Sequence, residues 1–268
     1  MNKFFYLHIP KTAGSFFNKF LKTQSDNFYE HIEVHSYEKN ADILSGHIPY
    51  PQASHKGFLE DRKTIVLLRN PLEQVISHIT FVRELAEQSE EKRFKSHAKS
   101  IQEIALRLKD TDLSSHKDIQ KLIIWLEENN FWLFHDCQTR YLGGGISNIK
   151  PANLNLALRN IEKIDYVGIT DRIKEFMFLL YKKEKFELID ITTENMTKKR
   201  YGLDINQLEI RQALQPFLQN DAIIYRYAKK RFIDDLYEII KNIENQKGPR
   251  FSCLRIDILS KYAEEGLV

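Results

Sequence analysis

Four short apolar runs, at 4–9, 43–45, 64–68 and 166–169, constrain this chain more than any other feature. Each is short enough to be a strand buried on both faces of a parallel sheet. Helical periodicity follows directly over 15–23 and 72–87, and Thr170-Asp171 reads as the cap of a helix over 172–183. Strand–helix alternation of this kind predicts an α/β fold, a parallel sheet with helices on both faces. A weaker run at 187–191 is a candidate fifth strand.

The rhythm breaks between 83 and 134, where Ile101, Ile104, Ala105 and Leu108, then Ile119, Leu122, Ile123 and Leu126, recur at helical spacing in a charged background. Two or three helices inserted over one edge of the sheet are expected there. Gly143-Gly144-Gly145 and Pro151 mark a loop, and helical pattern returns over 153–161, 206–218 and 221–245. Residues 1–245 therefore read as one α/β domain with a helical insertion at about 83–134, followed by a tail, 246–268, with no clear periodicity.

With 42% hydrophobic and 29% charged side chains in 268 residues, the chain can bury a sizeable core. Its 40 basic and 37 acidic residues leave +3, too balanced for a nucleic-acid coat or a polybasic membrane anchor, so any cationic function must be local. Cys137 and Cys253 support neither a disulfide framework nor a four-cysteine zinc site, which fits a reducing compartment. No window approaches the ~20 apolar residues of a membrane span, and the run before Pro10 lacks the length and cleavage site of a signal peptide. The expectation is a cytoplasmic protein with no stable membrane insertion and no nucleic-acid partner.

The first strand leads into Lys11-Thr12-Ala13-Gly14-Ser15 and then a helix. Free amides at a helix start, the positive end of its dipole and the Lys11 ammonium would converge there on one anion, with Thr12 and Ser15 adding hydroxyls. The plainer alternative is a solvated Lys11, with Thr12 or Ser15 merely capping the helix. The Walker pattern is not matched, because here the Lys precedes the Gly. The third strand ends in Arg69-Asn70-Pro71, which puts Arg69 on the same carboxyl edge as Lys11, where open α/β sheets bind ligands. Ser77 lies two turns into the next helix. The expected strand ends carry Lys11, His47 and Arg69 and no carboxylate of the kind that holds magnesium in phosphoryl transfer. A ligand with two separated anionic groups and no metal fits this better than magnesium-bound ATP.

Ile9-Pro10-Lys11-Thr12-Ala13-Gly14-Ser15 and the stretch from Leu68 through Arg69 and Ser77 to His78 resemble the two cofactor motifs of carbohydrate sulfotransferases, in particular the heparan sulfate 2-O/uronyl group and its bacterial relatives. Further likeness lies in Ser45-Gly46-His47, Gln138-Thr139-Arg140-Tyr141-Leu142, Val167-Gly168-Ile169-Thr170 and 221–232. The resemblance implies a P-loop-like fold that binds PAPS (3′-phosphoadenosine 5′-phosphosulfate) and releases PAP, with no metal. Lys11, Thr12, Ala13, Gly14 and Ser15 would then hold the 5′-phosphosulfate, and Arg69 and Ser77 the 3′-phosphate. Two departures stand out: the family usually has Asp at Asn70 and often a basic residue at Gln74. Relatives often show His-Gly-His where this chain has Ser45-Gly46-His47.

Sulfuryl transfer needs a proton acceptor and a cation at the leaving oxygen. Lys11 suits the second role. His47, at the second strand's exit, suits the first, since an imidazole titrates near pH 6.5. A turn histidine can equally be a surface group. His8 reads as a satisfied core group and His78 as structural. Arg140 is either a sheet-edge ion-pair residue or a cofactor ligand, and Lys198-Lys199-Arg200-Tyr201 is a basic cluster of the kind that usually faces solvent. The alternatives to a sulfotransferase are a P-loop-type nucleotide kinase and a non-catalytic nucleotide- or glycan-binding protein of the same fold. The expected partner is a hydroxyl-bearing acceptor, a glycan or other small molecule, and a bacterial cytoplasmic setting is the expectation.

Overall fold

The computed structural model describes residues 2–87, 91–144, 152–189 and 201–247. Among them, five strands form one all-parallel sheet: β1 (Lys3–Leu7), β2 (Phe28–Tyr29), β3 (Ile43–Gly46), β4 (Arg62–Leu68) and β5 (Tyr166–Ile169), in the order β2-β3-β1-β4-β5. β1 is central, running from Phe4 opposite Ile43 to Leu7 opposite Gly46 on one side and from Lys3 opposite Arg62 to Leu7 opposite Val66 on the other. Phe4, Phe5, Tyr6 and Leu7 are all buried, which is why this run is apolar throughout instead of alternating. The chain places β2 and β3 on one side of β1 and β4 and β5 on the other. The reversal falls at β1, so the crevice at its carboxyl end is the expected ligand position.

The fifth strand is β2, not the run at 187–191. Residues 187–189 are outside any strand, and 190–191 lie beyond the described residues. Within the run, Ile189 packs against the core around the sheet without pairing, while Leu188 is half exposed; just before it, Phe186 is buried edge-on against Phe4, with centroids 4.9 Å apart.

The helices are α1 (Gly14–Lys22), α2 (Tyr50–His55), α3 (Pro71–Glu84), α4 (Glu91–Ser96), α5 (Lys99–Lys109), α6 (His116–Glu128), α7 (Cys137–Gly143), α8 (Leu154–Ile161), α9 (Ile173–Glu184), α10 (Leu208–Leu214) and α11 (Gln219–Lys247). The last runs two residues into the expected tail; 248–268 lie outside the described residues. α3 starts sharply because Pro71 occupies its first turn while the Asn70 carboxamide oxygen accepts from the amides of Leu72 and Glu73. Its Val75, Ile79 and Val82 join Ile104 and Leu108 of α5 and Leu122 of α6 in a hydrophobic cluster separate from the one around the sheet. The insertion is thus a helical lobe built on α3, which carries β4's exit at its start.

The Gln138–Leu142 motif and Asp221 have a structural use. Asp221 accepts from the Gln138 amide and from the Thr139 amide and hydroxyl, closing the start of α7. Asp136 accepts from the amides of Asn220 and Asp221, closing the start of α11. Burial and the neighbouring Asp136 push the Asp221 carboxyl up to about 6, against the pull of these bonds. Among the described residues no helix is long and apolar enough to cross a membrane.

Candidate functional site

At the β1 exit, Lys11 and Ala13 both adopt left-handed backbone, with φ of 65° and 64°. Such conformations cost roughly 1–3 kcal/mol each in a non-glycine residue and persist where the surroundings enforce them. Thr12 between them is fully buried, and its hydroxyl donates to the Ile9 carbonyl at 2.9 Å. No side chain caps α1 and no acidic residue lies in its first turn. The capping alternative is therefore overturned: Thr12 points back along the strand and Ser15 is exposed. The first-turn amides therefore have no side-chain cap, and alternating backbone hand is what makes a concave nest of N–H groups.

Arg69 adjoins this loop. Its Nη1 donates to the Lys11 carbonyl at 3.2 Å and its Nη2 to Glu73 Oε2 at 3.2 Å. Gln138 clamps the Arg69 backbone through both its amide and its carbonyl, each at 2.9 Å. Gln74 Nε2 donates to the Pro10 carbonyl at 3.0 Å. The two departures from the family pattern are thus structural here, Asn70 capping α3 and Gln74 bracing the loop. Ser77 is buried one turn beyond Gln74 on the same helix.

A third cation comes from the inserted lobe. The Lys11 ammonium and the Arg93 guanidinium both lie 4.6 Å from the ring centroid of Phe81. Burial lowers the Lys11 pKa, Arg93 and Arg69 lower it further, and Glu84 opposes them. Arg93 escapes a reading of spacing because it reaches the loop from α4, across an aromatic ring. Arg93→Glu is expected to weaken binding of an anionic ligand at this loop about fivefold, roughly 1 kcal/mol of screened Coulomb energy. Calorimetric titration checks this, and unaltered affinity would remove Arg93 from the site.

His47 leaves β3 with its Nδ1 2.7 Å from the His8 carbonyl. A carbonyl only accepts, so Nδ1 carries the proton and Nε2 keeps its lone pair. Burial lowers the pKa of this ring, with Glu33 opposing. The His8 ring lies 4.0 Å from that of His47. On its other side, a Cβ built on Gly14 would fall 1.6 Å from His8 Nε2. Gly14, His8 and His47 thus connect the loop to the candidate base. His8 is not the satisfied core group expected: its amide donates to the Gly46 carbonyl at 3.1 Å, but its buried Nδ1 has no hydrogen-bond partner among the described residues.

β2, unforeseen, brings two further groups to this rim. Glu33 Oε2 accepts from the His47 amide at 3.0 Å, and Oε1 lies 3.3 Å from His31 Nδ1. The expectation of a carboxylate-free sheet edge is corrected accordingly. A Cβ on Gly46 would sit 2.7 Å from Glu33 Oε2, so the glycine makes room for this carboxylate.

Arg140 is buried and donates from Nη2 to the Leu133 carbonyl at 3.0 Å, a contact with backbone and not a sheet-edge ion pair. His78 is buried edge-on to Phe134; burial, Lys11 and Arg140 lower its pKa to about 3, which fits a neutral structural role. Lys198, Lys199 and Arg200 lie outside the described residues, while Tyr201 stacks under the Arg83 guanidinium at 3.9 Å. No protein-family model matches the chain, and no curated protein matches it in sequence.

Proposed function

We propose that this chain is a sulfotransferase on a P-loop-like α/β domain, moving a sulfuryl group from PAPS to a hydroxyl of a glycan or other small acceptor. One juxtaposition carries the reading: an uncapped helix start beside Lys11, Arg69 and Arg93, linked through the His8 ring to an imidazole whose Nε2 is free to accept a proton. The donor set fits a dianionic ligand, since cations and amides converge where the sheet topology opens its crevice. PAPS would supply an activated sulfuryl group and a leaving group with phosphates at both ends.

Each residue then has a distinct task. The amides of Thr12 through Ser15 hold the fixed oxygens of the 5′ end, and Lys11 meets the charge that grows on the departing oxygen. Arg69 and Ser77 hold the 3′-phosphate. The acceptor hydroxyl gives its proton to His47 Nε2, which burial keeps neutral and ready.

A magnesium-dependent nucleotide kinase is the second reading, and Glu33 is the observation behind it. Its neighbours weaken the case: magnesium demands an oxygen-rich octahedron, whereas Glu33 is flanked by His31 and the His47 amide. With an acceptor found by screening, transfer is expected to proceed undiminished in excess EDTA, because Lys11 and the oriented amides supply the positive field that magnesium supplies in kinases. Activity lost on chelation and restored by magnesium would transfer the chain to the kinase reading. PAP binding without turnover on any acceptor would mark a non-catalytic binding protein.

A further inference from the structure

We propose that His31, Glu33 and His47 form a binding site for a zinc-class divalent cation, and that its occupancy withdraws His47 from proton transfer. The site stands on its own geometry; only the blocking role rests on the function proposed above.

One ligand atom from each residue lies within 4.8 Å of the other two. Tetrahedral zinc with bonds of about 2.0–2.1 Å needs ligand atoms about 3.3 Å apart, and His31 Nδ1 and Glu33 Oε1 are already 3.3 Å apart. Two of the three ligands are held from behind. His47 Nδ1 is committed to the His8 carbonyl, which leaves Nε2 as the donor, the outer-sphere arrangement typical of metal-binding histidine. Glu33 Oε2 is committed to the His47 amide, which leaves Oε1.

The third ligand is the adjustable one. His31 sits at φ 55° with its side chain 40% exposed, in a turn whose Val34 and His35 amides donate to the His31 carbonyl at 3.0 and 2.9 Å. The Ile32 amide donates to the Ser45 carbonyl at 3.3 Å and ties this turn to β3. The exposed imidazole can adjust to an ion, and the ligand atoms of all three residues already lie within 4.8 Å of one another. Two imidazoles and one carboxylate suit zinc, cobalt or nickel and disfavour magnesium and calcium, and three protein ligands leave one position for water. To ligate through Nδ1, the His31 imidazole carries its proton on Nε2, which faces away from the other two ligands as the remaining donor. His47 Nε2 cannot donate its one lone pair to a metal and accept a proton at once, so metal and turnover exclude each other.

The test is titration of the EDTA-treated full chain with Co²⁺, read by visible absorption, and with Zn²⁺, read by calorimetry. One equivalent should bind, and His31→Ala and Glu33→Gln should each weaken it by about 100-fold or more, beyond what losing an outer-sphere partner costs. His116→Ala, on the exposed start of α6, should leave it unchanged. A cooperative thermal transition and a circular dichroism spectrum like those of the native chain verify that His31→Ala is folded. No absorption band from bound Co²⁺, or affinities untouched by both substitutions, would overturn the site. Equimolar Zn²⁺ should stop transfer in the native chain and spare His31→Ala; a native chain that binds Zn²⁺ and still turns over would overturn the blocking role. Metal binding in a chain that ignores PAP would leave the site standing and count against the sulfotransferase alone.

Discussion

On the proposed sulfotransferase reading, His47→Ala is expected to lower kcat by about 10²–10⁴-fold while PAPS binding is retained, the range for loss of a general base. At about 1.4 kcal/mol per decade this is roughly 3–5 kcal/mol of barrier, far more than removal of a partly buried ring costs elsewhere in a site. The expectation rests on three linked facts. The ring is oriented by the His8 carbonyl, its free nitrogen is Nε2, and burial keeps it unprotonated near neutrality. Lys11→Ala should differ in kind, because on that reading Lys11 would meet the bound ground state too, so affinity for PAP and turnover should fall together. Single-turnover rates for both variants separate these cases. A His47→Ala protein with native kcat, in a step shown to be limited by chemistry, would place the base elsewhere.

Gly14→Ala should be the most damaging small substitution in the loop. The added methyl would lie 1.6 Å from His8 Nε2 and 2.1 Å from its Cδ2, far inside any tolerable contact. His8 is 6% exposed and lies against Tyr6 and His47, at centroid distances of 5.5 and 4.0 Å, so its ring has little room to withdraw. Overpacking of this kind costs about 1–3 kcal/mol, and here the upper end is expected because the obstacle is a wedged ring. Urea denaturation measures it. His8→Ala in the same chain should recover most of the loss, a coupling that only direct contact produces. A Gly14→Ala protein as stable as the native one would mean that His8 does not occupy that space.

The centre of the sheet is legible in the sequence because β1, β3, β4 and β5 are buried on both faces and therefore written as unbroken apolar runs. β2 is not, since two residues paired only to β3 leave no pattern. With β2 went His31 and Glu33, whose arrival beside His47 depends on a pairing that no local spacing encodes. The 187–191 run misleads for the opposite reason: Ile189 packs against the sheet's core without a strand partner. Lys11, Arg69 and His47 were readable because strand exits of a parallel sheet share one edge, and position along the chain then implies proximity. Arg93 was not, because it meets Lys11 across Phe81 from an inserted helix. The Asn70 and Gln74 departures became intelligible only through their backbone partners, the α3 amides and the Pro10 carbonyl.

The central claim is that two anion sites, one at Lys11 to Ser15 and one at Arg69 with Ser77, grip one ligand without metal. Thermal denaturation of the native chain in EDTA with PAP or AMP, each at equal concentration, tests it most directly. PAP at 100 times its dissociation constant should add roughly 2.7 kcal/mol of stability, AMP clearly less, and Arg69→Ala should remove the difference between them. Equal stabilisation by PAP and AMP, or an Arg69→Ala protein that still prefers PAP, would contradict the account.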